Sequence, residues 1–84
     1  MSDQTLPLLI AEWPRNGKDL IRVRLNAFNG RTTIELREWY PADGDYKPGK
    51  AGITLSVAHV RTLADAFAKA LAEAESRNLL PPAG

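Results

Sequence analysis

Eight cationic side chains (Arg15, Lys18, Arg22, Arg24, Arg31, Arg37, Lys47 and Lys50) fall between residues 15 and 50, interleaved with Phe28, Trp39 and Tyr40. Guanidinium groups take phosphate oxygens in bidentate fashion. Flat rings accept stacked bases, at about 1–3 kcal/mol each, with little regard to sequence. Cations for a backbone and rings for bases make up the chemistry of single-strand nucleic-acid binding. The net charge is only +1, but distribution matters more than the sum. Asp65, Glu73 and Glu75 lie toward the C-terminus, so the basic excess sits in the middle of the chain.

Other chemistries find less support. Gly44 to Lys50 has the spacing of a phosphate-binding P-loop, but the next residue is Ala51, which has no hydroxyl for magnesium. That segment also leads into a strand, whereas the anion site of a P-loop is completed by a helix N-terminus. Asp43 and Asp45 flank Gly44 without the further oxygen ligands or terminal glutamate of a calcium loop. His59 is the only histidine and there is no cysteine, so a metal has no ligand set. No nucleophile–base pair with a workable spacing is visible. The expectation is a binding protein, not an enzyme, with no cofactor and no metal.

The elements that would position these residues follow from alternation. Residues 19 to 40 hold two alternating runs around Asn29-Gly30, a strong two-residue hairpin signal. With those two residues as the loop, Phe28 pairs with Arg31 and the register follows. Leu25 then faces Ile34, and Val23 faces Leu36, with Ile21 and Ala27 on the same apolar side. On the other side Arg24 meets Glu35, Asn26 meets Thr33, Arg22 meets Arg37, and Leu20 meets Trp39. Pro7 to Trp13 suggests a short first strand at a sheet edge, and Asn16-Gly17 a tight turn after it. Pro41 to about Gly52, rich in proline, glycine and charge, reads as a loop. Ile53-Thr54-Leu55 reads as a short fourth strand with Ile53 and Leu55 inward. Ser56 is a good N-cap for a helix over Val57 to about Arg77, with Val60, Leu63, Phe67, Leu71 and Ala74 as its buried stripe. Asp65 can pair four residues away with Arg61 or Lys69.

The expected fold class is α+β: a four-stranded antiparallel sheet followed by one C-terminal helix, ββββα. A single helix covers one face, leaving Arg22, Arg24, Phe28, Arg31, Arg37 and Trp39 on the other. Arg22 directly opposite Arg37 is repulsive, and an anion between them would convert that repulsion into binding. The plainer alternative is that the cations are merely solvated, Arg24 is neutralised by Glu35, and Phe28 and Trp39 pack into an interface with another polypeptide. At 84 residues the chain forms one domain with a small core, so self-association into a homodimer is expected. Its longest apolar run, Leu8 to Ala11, is too short to span a bilayer. An intracellular, cytoplasmic protein is expected, without contact to membranes, and the lack of cysteine fits a reducing compartment.

Three segments carry a resemblance: Phe28-Asn29-Gly30-Arg31; Ile34-Glu35-Leu36-Arg37-Glu38-Trp39-Tyr40; and Lys47-Pro48-Gly49-Lys50-Ala51-Gly52-Ile53-Thr54-Leu55-Ser56. Their order resembles the transcriptional coactivator p15 family, also called positive cofactor 4 (PC4), from about residue 18 to Phe67. The resemblance implies a curved sheet, a homodimer, and binding of single-stranded or melted DNA with little sequence preference. It implies base stacking by Phe28 and the Trp39-Tyr40 pair, and backbone contacts from Arg31, Arg37, Lys47 and Lys50. Arg22 and Arg24 rest on the strand pairing alone. Asn29 and Ala51 stand where the family commonly carries basic residues, and the aromatic pair often runs tyrosine then tryptophan. Alternation points Trp39 outward; the family pattern favours Tyr40. No Ser-rich acidic N-terminal extension precedes the domain, as in bacterial or phage relatives. The expected layout is a flexible N-terminus at 1–6, a PC4-like domain at 7–77 and a tail at 78–84. The expected role is in transcription regulation, replication or repair, with the corresponding machinery as partner, at the nucleoid if bacterial or in the nucleus if eukaryotic. RNA is the alternative ligand, and a protein-interaction module is the alternative function.

Overall fold

The structure, a computed structural model, describes residues 5–81. The first four residues of the expected N-terminal segment and the last three of the expected tail lie outside the described residues. Four strands, β1 (Leu8–Pro14), β2 (Leu20–Phe28), β3 (Arg31–Ala42) and β4 (Asp45–Ser56), form one antiparallel sheet in the order β1-β2-β3-β4. A 3-10 turn at Val57–His59 leads into helix α1 (Val60–Ser76).

The β2–β3 register agrees with the alternation. Asn29 and Gly30 take φ of 51° and 76°, the left-handed pair that a two-residue hairpin requires. Phe28 pairs with Arg31, Leu25 with Ile34, Val23 with Leu36, Arg24 with Glu35, Arg22 with Arg37 and Leu20 with Trp39. Because side chains alternate along a strand, this one register separates the two faces. Val23, Leu25, Ile34 and Leu36 share one side; Arg22, Arg24, Glu35, Arg37 and Trp39 share the other.

Two segments differ from expectation. Residues 41–52 are strand, not loop: β3 runs to Ala42 and β4 starts at Asp45. Asp43 and Gly44, at φ of 54° and 77°, make a second two-residue turn. The prolines are tolerated because they sit where no ladder bond is lost. Pro48 lies on the edge strand, and Pro41 lies beyond Trp39, where β2 pairing stops. The β3–β4 register shifts between Arg37↔Gly52 and Trp39↔Pro48, so Glu38 alone faces Gly49, Lys50 and Ala51, which bulge from β4. Asn16-Gly17, by contrast, makes no tight turn. Asn16 acts through its side chain, its Oδ1 accepting from the N–H groups of Lys18 (3.0 Å) and Asp19 (2.9 Å) to close a wider loop.

The helix also departs in part. The Ser56 hydroxyl accepts from the Ala58 N–H at 3.2 Å, but it caps the 3-10 turn, and α1 begins only at Val60. Asn78, at φ 56°, ends the helix, with Leu79 N–H bonded to Ala74 O at 2.8 Å. Asp65 pairs with Lys69 at 3.5 Å. The expected cover of the apolar face is incomplete. Val60, Leu63, Ala64 and Phe67 line an open cleft of about 590 Å³ against Ile10, Trp13, Val23, Ile34, Leu36, Ile53 and Leu55. Ile53 is 52% exposed and Phe67 61%. A gap of that size loses dispersion contact on both walls. One chain does not close its own core.

Three glycine substitutions separate these constraints. A Cβ at Gly52 would lie 2.8 Å from Leu36 O and 3.0 Å from the Arg37 Cα, so Gly52→Ala is expected to cost about 1–3 kcal/mol by overpacking. Gly30→Ala meets open space but at φ +76°, costing about 1–2 kcal/mol of backbone strain. Gly17 has open space and no such angle, so Gly17→Ala should stay within about 0.5 kcal/mol of the parent. Urea unfolding at equal protein concentrations measures all three; equal losses at Gly17 and Gly52 would contradict the packing described.

Candidate nucleic-acid interface

The polar sheet face is organised by one carboxylate. Glu35, on β3, is 8% exposed. Its Oε1 accepts from Arg24 Nε at 2.8 Å and lies 2.7 Å from Arg24 Nη2; its Oε2 accepts from Arg37 Nε at 3.1 Å. Burial pushes its carboxyl pKa up, but hydrogen bonds and charge from Arg24 and Arg37 outweigh that and hold it below the usual glutamate value. A folded-state pKa below the unfolded one means the stabilisation is fully present above the ordinary carboxylate range. It is lost as pH falls through the depressed value. Glu35 is therefore ionised at neutral pH.

The same cluster reaches across to β4. Arg37 Nη1 donates to the carbonyl oxygens of Gly49 (3.0 Å) and Lys50 (3.4 Å), and Nη2 lies 3.5 Å from Thr54 Oγ1. These carbonyls belong to the bulge, where the ladder is interrupted. On the other flank Arg22 Nε donates to Glu12 Oε1 of β1 at 2.8 Å. Arg22 and Arg37 stand opposite one another as expected, yet their repulsion is already relieved internally. Each has its own carboxylate.

Trp39 is on the expected face but is not an open stacking platform, which corrects its expected role. It is 9% exposed, with the guanidinium carbons of Arg22 and Arg24 at 4.7 and 4.8 Å from its ring centroid. Arg22 also lies 5.7 Å from the Tyr46 ring. Cation–π contact in so dry a setting is worth about 2 kcal/mol. The indole thus packs beneath the arginines. Tyr40, next in the chain, points the other way and is 44% exposed.

The remaining expected residues lie toward the two ends of β3. Phe28, 69% exposed, sits cross-strand from Arg31 at the Asn29-Gly30 hairpin. Tyr40 pairs across from Lys47, whose Nζ is 3.2 Å from Asp43. The nine-residue separation of Arg31 and Tyr40 along β3 corresponds to roughly 30 Å. Lys50 is exposed on the bulge beside Arg37. Among the described residues neither Arg31 nor Lys50 has an ion-pair partner. Arg22, Arg24, Arg37 and Trp39 therefore form one cluster, while Phe28–Arg31 and Tyr40–Lys47 form two outlying ring–cation pairs.

Sequence reasoning missed Glu12 and Tyr46 as members of the cluster. Tyr46 would have been found by reading Asp43-Gly44 as a turn, which sets Tyr46 opposite Pro41 on the Trp39 side. Glu12 carries no comparable signal, because the irregular pairing between Leu9 and Ala11 decides which face it takes.

Residues 16–66, more than half of the chain, match the family described as Transcriptional Coactivator p15 (PC4). The RNA polymerase II transcriptional coactivator KIWI of Arabidopsis thaliana is 37% identical over 75 residues, covering 86% of this chain and 66% of that protein. The chain spans 39% of the length of the RNA polymerase II transcriptional coactivator of Drosophila melanogaster and 66% of that of KIWI. Among solved structures, MoSub1 in complex with single-stranded DNA is similar with a TM-score of 0.62 and 36% identity, over 79% of this chain and 77% of that one. The bacteriophage T5 homologue of the eukaryotic coactivator PC4 shares the fold, with a TM-score of 0.71 at 22% identity over 84% of this chain and 83% of that one. Motif order, strand register and these likenesses agree: the chain belongs to the transcriptional coactivator p15 (PC4) family.

Proposed function

We propose that this protein binds single-stranded or melted DNA with little sequence preference, as a homodimer and without catalysing a reaction. The observation that carries the reading is the pairing of two exposed rings outside the apolar cleft with cross-strand cations: Phe28 with Arg31, and Tyr40 with Lys47. A base stacks on the ring while the neighbouring phosphate meets the cation. Tyr40 and Lys47 lie on the part of the β3–β4 ribbon that extends past β2. Tyr40 and Lys47 alternate to the side opposite Trp39, but both sides of such a two-stranded ribbon are open and its twist is larger than that of a full sheet, so a strand leaving the arginine cluster would reach them around the ribbon's edge. Between the pairs, the Arg22 Nη groups and Arg24 Nη1 have no hydrogen-bond acceptor among the described residues, and Lys50 adds a further charge. The likeness to MoSub1, solved with single-stranded DNA, supports the same ligand.

The homodimer rests on the open apolar cleft. The side chains lining it are all apolar and so complementary in chemistry to a second copy of themselves. Burying them on a twofold partner would complete two cores at once. A role in transcription regulation follows the coactivator relatives; replication and repair offer the same melted substrate. The protein would then work at the nucleoid of a bacterium or in the nucleus of a eukaryote. No helix among the described residues is long and apolar enough to cross a membrane.

Two measurements test this reading. Anisotropy titration with labelled oligothymidine should show binding that weakens with salt at a log–log slope near about −0.7 per phosphate contacted. Phe28→Ala and Tyr40→Ala should each lose about 1–3 kcal/mol of that binding. Binding that is independent of salt, or confined to RNA or to duplex, would overturn the assignment. Sedimentation should give a dimer for the parent, and Phe67→Asp should drive it toward monomer or unfolded chain. A parent that sediments as a folded monomer would contradict the shared core.

A further inference from the structure

We infer that Glu35 is a positioning residue of the nucleic-acid face, holding Arg24 and Arg37 in place and, through Arg37, the β4 bulge that presents Lys50. The inference rests on the reading that this face takes a polyanion. On charge alone a carboxylate there is unhelpful, since it repels phosphate and neutralises part of the field. Its geometry argues otherwise. One carboxylate accepts from the Nε of two arginines on neighbouring strands and also lies 2.7 Å from Arg24 Nη2, which fixes both guanidinium planes and leaves the Arg37 Nη groups turned toward β4. Without that shared acceptor the two guanidiniums would repel, and each would regain the rotamer freedom of a long side chain. Arg37 then bonds the Gly49 and Lys50 carbonyls, which have no ladder partner where β4 bulges. Losing Arg37's orientation leaves those acceptors unpaired and the Lys50 backbone unanchored.

Glu12 offers the internal contrast. It lies exposed on the edge strand and accepts a single hydrogen bond, from Arg22. Nothing else depends on that contact, so a phosphate can replace it at little cost. Two glutamates on one face therefore have opposite roles: Glu35 builds the site, and Glu12 competes with its ligand.

The test is oligothymidine affinity across a salt series for Glu35→Gln, Glu35→Asp and Glu12→Gln. Glu35→Gln, although it removes a negative charge, should weaken binding by about tenfold or more, with a salt slope no steeper than the parent's. Glu35→Asp keeps the charge but is one methylene too short to serve both arginines, and should weaken binding in the same direction. Glu12→Gln should bind more tightly than the parent, because it removes the carboxylate that competes with phosphate for Arg22. Folded Glu35 variants that match or exceed the parent would overturn the inference. Should those variants unfold, the unaltered protein still decides. The Arg24 and Arg37 Nε–H resonances should persist when oligothymidine is added, because Glu35 keeps both bonds. Their loss would make Glu35 a displaced counterion and sink the proposal. A parent that fails to bind oligothymidine would instead refute the functional reading itself.

Discussion

The reversal at Asn29-Gly30 is the constraint on which the rest depends. Two residues at left-handed φ place Phe28 opposite Arg31, and every later pair along β2 and β3 follows from that one. Because side chains alternate, the same reversal puts five arginine or glutamate positions of β2 and β3 on one side and the branched aliphatics on the other. A slip of one residue would place guanidiniums against α1 and leave Val23 and Ile34 among the charges. Fold and site are thus specified by a single local geometry.

The two faces then solve different problems. The polar face is the better packed within one chain: its carboxylate and indole, Glu35 and Trp39, are the buried residues among those described. Opposed charges, shared hydrogen bonds and guanidinium stacking take the place of apolar contact there, although the buried Trp39 Nε1 has no hydrogen-bond partner among the described residues. The apolar face has ample hydrophobic side chains but no closure, because the 3-10 turn and α1 leave β4 without packing onto the sheet. A charge-organised face can be complete in one copy. An apolar cleft of that size cannot, and this asymmetry is the ground for proposing a nucleic-acid ligand at the charged face and a second chain at the apolar one.

Much of this was legible in the residues. The β2–β3 register, the apolar and basic faces and the helix stop at Asn78 followed from alternation and capping, whereas Ile53 lies on the expected face but stays half exposed and Ser56 caps a 3-10 turn, not α1. What was not legible depended on competition between local signals. Proline and glycine at 41–52 outweighed Asp43-Gly44 as a turn in the reading, whereas in the fold the prolines occupy positions that forfeit no ladder bond. Asn16-Gly17 carries the same dipeptide as Asn29-Gly30 yet closes its loop by side-chain acceptance, since the strands it joins are offset more widely. Trp39 lies on the side of the sheet that alternation predicts but is buried there, not exposed. Alternation reports direction and says nothing of what lies over a ring, and here Arg22 and Arg24 lie over it.

The most direct measurement is an amide chemical-shift map of the protein titrated with oligothymidine. The account expects the perturbed residues to be Phe28, Arg31, Tyr40, Lys47 and Lys50, with the Arg22–Arg24–Arg37 cluster between them. Perturbation confined to Val23, Ile34, Ile53 and Phe67 would place the strand in the apolar cleft and contradict it.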